Sequence, residues 1–185
     1  MRKLIVAELV SIDGVMEAPG GEPDYAHTGW AVEYMGPEQV DYKLHEALEA
    51  ESLLLGRVTY ESFAEGWSEG EGQFAEKMNA MPKHVVSTTL KSPRWNATVI
   101  GDSVVGRIAD LRQANGGPIL VAGSRSLVHT LMEHDLVDEY RFTIFPFILG
   151  SGRRIFPESP RRLTLRLIAS RPFENGVVVN TYVPG

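Results

Sequence analysis

Ser52-Leu53-Leu54-Leu55-Gly56-Arg57-Val58-Thr59-Tyr60-Glu61-Ser62 decides how this chain folds. An apolar run ends in a glycine, and an arginine and a threonine follow before an amphipathic segment begins, which is the pattern of a strand emptying into a helix start. Gly56 lets the backbone turn sharply or approach a ligand closely. Arg57 supplies a planar cationic fork, and Thr59 either caps the next helix or offers its hydroxyl and the nearby amides to an anion. Read blandly, the same residues make a strand, a tight turn and an N-cap with one surface arginine.

Working outward, the pattern repeats. Leu4 to Val10 is nearly continuously apolar, as a strand covered on both faces would be, and Asp13-Gly14 breaks it. Pro37 opens a helix with Val40, Leu44, Ala47 and Leu48 along one face. Tyr60 and Phe63 lie on a short helix, a polar loop runs from Glu65 to Gly72 around Trp67, and Phe74 to Met81 makes another short helix. Lys83 to Ser87 is a strand running into Ser87-Thr88-Thr89, three hydroxyls that suit a phosphate or ribose and equally suit ordinary capping. Ala97 to Ile100 is a further strand, and Asp102 or Ser103 caps a helix carrying Val104, Ile108 and Leu111. Pro118 to Ala122 is a strand ending in Gly123-Ser124-Arg125-Ser126 before a helix with Leu127, Val128, Leu131 and Met132. This second strand, glycine and helix junction offers free amides and a helix dipole to a pyrophosphate.

Asp138 to Pro146 reads as a long strand, and a loop from Gly150 to Pro160 follows it. Leu163 to Ser170 and Val177 to Val183 make a hairpin around Glu174-Asn175-Gly176. The order predicts an α/β domain over residues 1–185: a three-layer, mainly parallel sheet with antiparallel C-terminal strands. Ligands on such sheets sit beyond the carboxyl ends of the strands, where Asp13, Gly56, Ser87 and Gly123 all fall.

The segment from Glu17 to Gly36 is rich in glycine and proline and carries Tyr25, His27, Trp30 and Tyr34. A loop of this length with four aromatic rings lines or covers a site, or else is a disordered excursion. Tyr25, His27 and Trp30 are the candidates for walling off a substrate.

Composition narrows the classes. The 185 residues have a formal net charge of −6 with scattered Lys and Arg, which argues against nucleic acid as a partner. No run approaches the roughly 18 apolar residues of a membrane helix, and the chain enters a strand pattern directly, so a cytoplasmic protein is expected. Without cysteine there is neither thiol chemistry nor a cysteine-ligated metal. The five histidines lack His-Glu-x-x-His spacing, and no metal is expected.

Gly56-Arg57-Val58-Thr59, with the aromatic and Glu-Ser after it, resembles the motif of dihydrofolate reductases. Ser11-Ile12-Asp13-Gly14, Ser87-Thr88-Thr89, Val121-Ala122-Gly123-Ser124, Leu136-Val137-Asp138-Glu139 and Phe145-Pro146 to Phe156-Pro157 extend the likeness along nearly the whole chain. It is similar most of all to the reductase domain of bacterial riboflavin biosynthesis.

The resemblance implies NADPH. Arg57 and the Ser87-Thr88 pair would hold the 2′-phosphate and Thr59 the pyrophosphate, with Gly56 and Thr89 also among the cofactor-binding residues. Ala122, Gly123, Ser124, Arg125, Ser126 and Leu127 would meet the pyrophosphate and nicotinamide ribose, while Ala7, Ile12 and Met16 flank the nicotinamide. Asp13 and Asp41 are the candidate proton-handling acids, although counting back from Gly56 puts Val40 at the folate acid position.

Departures from the relatives leave the substrate open. A lysine that riboflavin reductases carry six residues before their aspartate is here Ala7, and Tyr60-Glu61-Ser62-Phe63 replaces their Asp-Asp-Pro stretch. The expected function is hydride transfer from NADPH to a small heterocyclic or carbonyl substrate, pterin- or pyrimidine-like. The competing readings are an NADPH-binding module without turnover and a dimerisation domain that binds nothing. A homodimer is expected, with the strand from Asp138 to Pro146 as the bare edge that a second copy covers.

Overall fold

In the computed structural model, which describes residues 1–156, 158 and 162–185, the run Leu4–Ser11 becomes β1 at the heart of a sheet. Successive side chains point to opposite faces. Leu4, Val6 and Val10 therefore enter one core, and Ile5 and Ala7 enter another. A strand apolar on both sides needs a layer on each.

Those layers follow in α1 (Pro37–Glu49), β2 (Ser52–Gly56), α2 (Arg57–Trp67), α3 (Gln73–Ala80), β3 (Lys83–Val86), β4 (Ala97–Ile100), α4 (Val104–Gln113), β5 (Ile119–Val121), α5 (Arg125–Glu133), β6 (Glu139–Phe145), β7 (Leu165–Pro172) and β8 (Val178–Pro184). Helices α4 and α5 close the first core with Ile108, Leu127, Val128 and Leu131. Helices α1, α2 and α3 close the second with Ala47, Tyr60 and Met78. A third cluster joins Trp30 and Ala31 to Phe145, Phe173 and Val177.

The eight strands lie in the order β4-β3-β2-β5-β1-β6-β8-β7. From β4 to β6 every pairing is parallel, and β8 and β7 add antiparallel pairings at the end. The mainly parallel sheet with antiparallel C-terminal strands is thus present as expected. Pro157 and Pro160, which bound parts of the expected loop, lie outside the described residues.

Several local expectations are corrected. Helix α1 turns Gln39, Glu46 and Ala47 inward and leaves Val40 and Leu48 exposed, because both faces carry a helical period and the sheet takes the more polar one. Trp67 ends α2 instead of sitting in a loop, its ring 4.6 Å from that of Phe74. Ser103 occupies the N-cap of α4 but makes no capping hydrogen bond. Strand β6 is no bare edge: it runs between β1 and β8, as its two-sided burial requires, and β7 is the terminal strand.

Two features position the site. Beyond Val6↔Val121 the pairing of β1 with β5 stops, while β1 stays paired with β6 as far as Ser11↔Phe145, so a split opens between the upper half of β1 and the exit of β5. Beside it the exits of β2 and β5 interlock. A Cβ on Gly56 would lie 2.7 Å from Ser124 Cβ and closer still to Ser124 Oγ, and a Cβ on Gly123 would lie 2.8 Å from Thr59 Oγ1. Gly56 N–H donates to the Gly123 carbonyl at 3.2 Å, and Gly123 has φ +85°.

Gly56→Ala is therefore expected to cost about 1–3 kcal/mol, as overpacking does in a close-packed interior. Adding Ser124→Gly removes the clashing atoms and should recover most of the loss. Urea denaturation of both variants checks this, and a double variant no more stable than Gly56→Ala would refute the interlock.

Candidate functional site

A groove of about 380 Å³ crosses the carboxyl ends of β2 and β3 and the start of α5. Gly56 and Arg57 line it from the first junction, Ser87, Thr88 and Thr89 from the end of β3, and Ser124, Ser126 and Leu127 from the second junction. Three stretches far apart in sequence converge because the sheet order sets β2 between β3 and β5. Val58, Val86, Val104 and Thr130 also line it, residues that no motif singled out.

The groove's chemistry suits an anion. Gly56 and Ser124 are the N-caps of α2 and α5, and neither cap is closed by a side-chain hydrogen bond, so no capping side chain occupies the helix-start amides. Arg57 Nη1 lies 2.6 Å from Glu61 Oε2, with both side chains more than 40% exposed. Such a solvated i,i+4 pair is weak and yields readily to a stronger anion. Ser87 Oγ accepts from the amides of Thr89 and Leu90 at 3.1 and 3.0 Å, which orders the turn that presents Thr88. Thr59 sits in the first turn of α2 against Gly123 and is not its cap. Arg125 leaves the groove: its Nε donates to the Arg154 carbonyl at 2.6 Å. Ala122 packs partly buried beside the second core.

Of the three expected nicotinamide neighbours, Ala7 and Met16 are buried in separate cores and Ile12 is 62% exposed. They do not form one wall.

The two expected acids are placed otherwise. Asp13 accepts from Ser11 Oγ at 2.7 Å and from the amides of Leu149 and Gly150 at 3.1 and 2.9 Å. The Ser11 hydroxyl first, with these two amides, lowers its pKa and fixes it as an acceptor that ties β1 to the loop after β6. Asp41 lies on the outer side of α1, 60% exposed and 3.4 Å from His45 Nδ1, away from the groove. Neither is placed to donate a proton there.

The loop from Glu17 to Gly36 is packed down. Trp30 is 7% exposed, edge-on to Phe145 at 5.4 Å, and its Nε1 donates to the Glu17 carbonyl at 2.8 Å. This ring belongs to the third cluster and not to a substrate wall. Tyr25 donates its hydroxyl to the Ser151 carbonyl at 2.8 Å, and His27 is exposed with its ring 5.5 Å away.

Sequence reasoning missed a buried polar cluster. Glu8 stands in the split of the sheet, 6% exposed, and its Oε1 accepts from Gly123 N–H at 2.6 Å. Burial pushes its pKa up to about 8, against the lowering pull of the Gly123 amide and Lys43 and with a smaller push from Glu46. On α1, Lys43 Nζ lies 2.8 Å from Glu46 Oε2, and Arg141 of β6 approaches Glu46 Oε1 at 3.7 Å. Glu46 Oε1 and Thr143 Oγ1 are sealed with no hydrogen-bond partner among the described residues. The signal available was one glutamate in the middle of an apolar strand run.

Known proteins match this architecture. The RibD C-terminal domain model matches residues 2–179. The uncharacterized proteins YyaP and YwjB of Bacillus subtilis are 28% and 27% identical, over 98% and 95% of this chain and 94% and 95% of their own lengths. Among solved structures, a putative riboflavin biosynthesis protein from Shewanella sp. PV-4 superposes with TM-score 0.77 at 23% identity, covering 99% of each chain. A pyrimidine reductase-like protein from Corynebacterium diphtheriae gives 0.67 at 12%, covering 100% of this chain and 92% of its own. Dihydrofolate reductase from Enterococcus faecalis, complexed with NADP(H), gives 0.65 at 17%, covering 99% and 96%. These likenesses show a shared fold, and with the family model spanning nearly all of the sequence, the chain belongs to the RibD C-terminal domain family.

Proposed function

We propose that this protein is an NADPH-dependent reductase that transfers a hydride to a small heterocyclic or carbonyl substrate, pterin- or pyrimidine-like. The observation that carries the reading is the groove itself, where Arg57, the Ser87 to Thr89 hydroxyls and two open helix starts meet over strand ends. The donor set fits a nucleotide with an extra phosphate: one guanidinium and hydroxyls at one end, uncapped amides at the other. The two glycines fit it as well, since each lets backbone lie where a side chain would fill the floor. A bound nicotinamide would supply the hydride, and the chain's part is to orient it and exclude water.

Binding without turnover is the second reading, favoured by the placement of Asp13 and Asp41 away from any proton-donating role. Steady oxidation of NADPH with a panel of pterins and pyrimidines separates the two. Among the described residues no helix is long and apolar enough to cross a membrane.

Cofactor choice gives a sharp prediction. A charge-assisted hydrogen bond contributes about 1.5–3 kcal/mol, so Arg57→Ala should weaken NADPH binding roughly 10- to 100-fold and leave NADH nearly unchanged. Dissociation constants for both nucleotides, in wild type and variant, check it. An unchanged ratio would reduce Arg57 to its ion pair with Glu61.

The assembly we infer is a homodimer through β7. This terminal strand exposes Leu167 at 50% and Ile168 at 47%, beside a bulge, and among the described residues its outer edge pairs with no other strand. A paired Leu167→Glu, Ile168→Glu variant should run as a monomer in light scattering at micromolar concentration while wild type runs as a dimer. A monomeric wild type would end the proposal.

A further inference from the structure

Glu8 has no part in the reading above, and its place is unusual. It is a carboxyl in the middle of the central strand, beside the one stretch where β1 has lost its β5 partner. One oxygen is committed to Gly123 N–H at 2.6 Å. The other, Oε2, has no hydrogen-bond partner among the described residues and is not among the wholly sealed atoms, unlike Glu46 Oε1. It is free to meet a ligand.

The groove has a direction that says which part of a ligand arrives there. Its cationic and hydroxyl end is Arg57 with Ser87 to Thr89, and the open amides of α5 come next. A dinucleotide that set its phosphates on these groups would carry its second ring past Ser124 toward Gly123, whose amide Glu8 holds at the edge of the split. In NADP(H) that ring is the redox ring, cationic when oxidised and neutral when reduced.

We propose that Glu8 sets the preference of the site between the oxidised and reduced nucleotide: as a carboxylate it favours the cationic ring, and with a proton it favours the neutral one. The proposal rests on the nucleotide reading given above. The groups that face Glu8 support titration at this point. From α1 come Lys43 and Glu46, themselves paired, with Arg141 of β6 behind Glu46. The in-register neighbour on β6 is Phe142, α5 presents Leu127, Val128 and Leu131 to this core, and among the described residues Lys43 and Glu46 are the charges that act on Glu8.

The sign follows. With the free carboxyl titrating near 8, Glu8 is neutral at pH 6.5 and ionised at pH 9.5. A cationic ring beside it lowers that pKa, so oxidised nucleotide expels a proton on binding near neutrality and reduced nucleotide does not. Rising pH then tightens NADP⁺ relative to NADPH.

The test is isothermal titration calorimetry of the full chain with NADPH and NADP⁺ at pH 6.5 and 9.5, on wild type and Glu8→Gln. Both nucleotides carry the same 2′-phosphate, so its own titration cancels in the ratio of the two constants. In wild type the NADP⁺ to NADPH ratio of dissociation constants should fall by ~10-fold or more, as expected for opposite charges in partly buried contact. In Glu8→Gln, which can still accept from Gly123, it should stay flat. A pH-independent ratio in wild type, or an equal swing in the variant, overturns the proposal. Repeating the wild-type titrations at pH 7.5 in two buffers of different ionisation enthalpy counts protons without any variant. Release with NADP⁺ alone supports the proposal, and no release overturns it. If neither nucleotide binds, the nucleotide reading falls together with this one.

Discussion

Contact between the exits of β2 and β5 holds the rest of the site in place. Gly56 lies against the Ser124 side chain and Gly123 against Thr59, so each junction is the floor of the other. Neither position has room for a β-carbon, which brings two helix starts together at a separation that side chains would prevent. The hydroxyls after β3 then face both starts, because β3 pairs with β2 from Leu53↔Lys83 to Gly56↔Val86. The groove is thus a consequence of close backbone approach more than of any single binding residue.

A second constraint is the polar underside of α1. A helix that sends Gln39, Lys43 and Glu46 toward a sheet forgoes apolar burial on that face, and buried charge is costly unless paired. Here Lys43, Arg141 and Glu139 supply the pairing, with Arg141 Nε at 2.7 Å from Glu139 Oε1. Gln39 also ties α1 to the β7–β8 turn, its Nε2 donating to Asn175 Oδ1 at 2.7 Å. The cluster gives the region beside the split a different character from the apolar cores on either side.

How far residues alone reveal such a molecule depends on what signals them. Gly56, Gly123 and the hydroxyls at Ser87 to Thr89 were legible because glycine and hydroxyl clusters at strand ends answer to local backbone rules. The inward face of α1 was not, since Val40, Leu44, Ala47 and Leu48 follow a helical spacing as well as Gln39, Lys43, Glu46 and Ala47 do. Only the sheet, assembled from distant segments, chooses between them. Trp30 looked like a loop aromatic waiting for a ligand, and it anchors the loop instead because Phe145 and Val177 come from elsewhere to meet it. Strand β6 looked like an edge when its two apolar faces already argued for an interior position.

The sheet order also bears on how the polypeptide acquires its shape. The centre of the sheet is the first strand made, yet its two neighbours are β5 and β6, whose registers join Leu4 to Ile119 and Ile5 to Glu139. A chain emerging from the ribosome must carry β1 unpaired until more than a hundred further residues have followed. Strand β7 waits only briefly, for it attaches through β8, which follows it within a few residues. A largely apolar strand is thereby left open to mispairing until its partners have followed, the condition in which a nascent chain is most prone to aggregate.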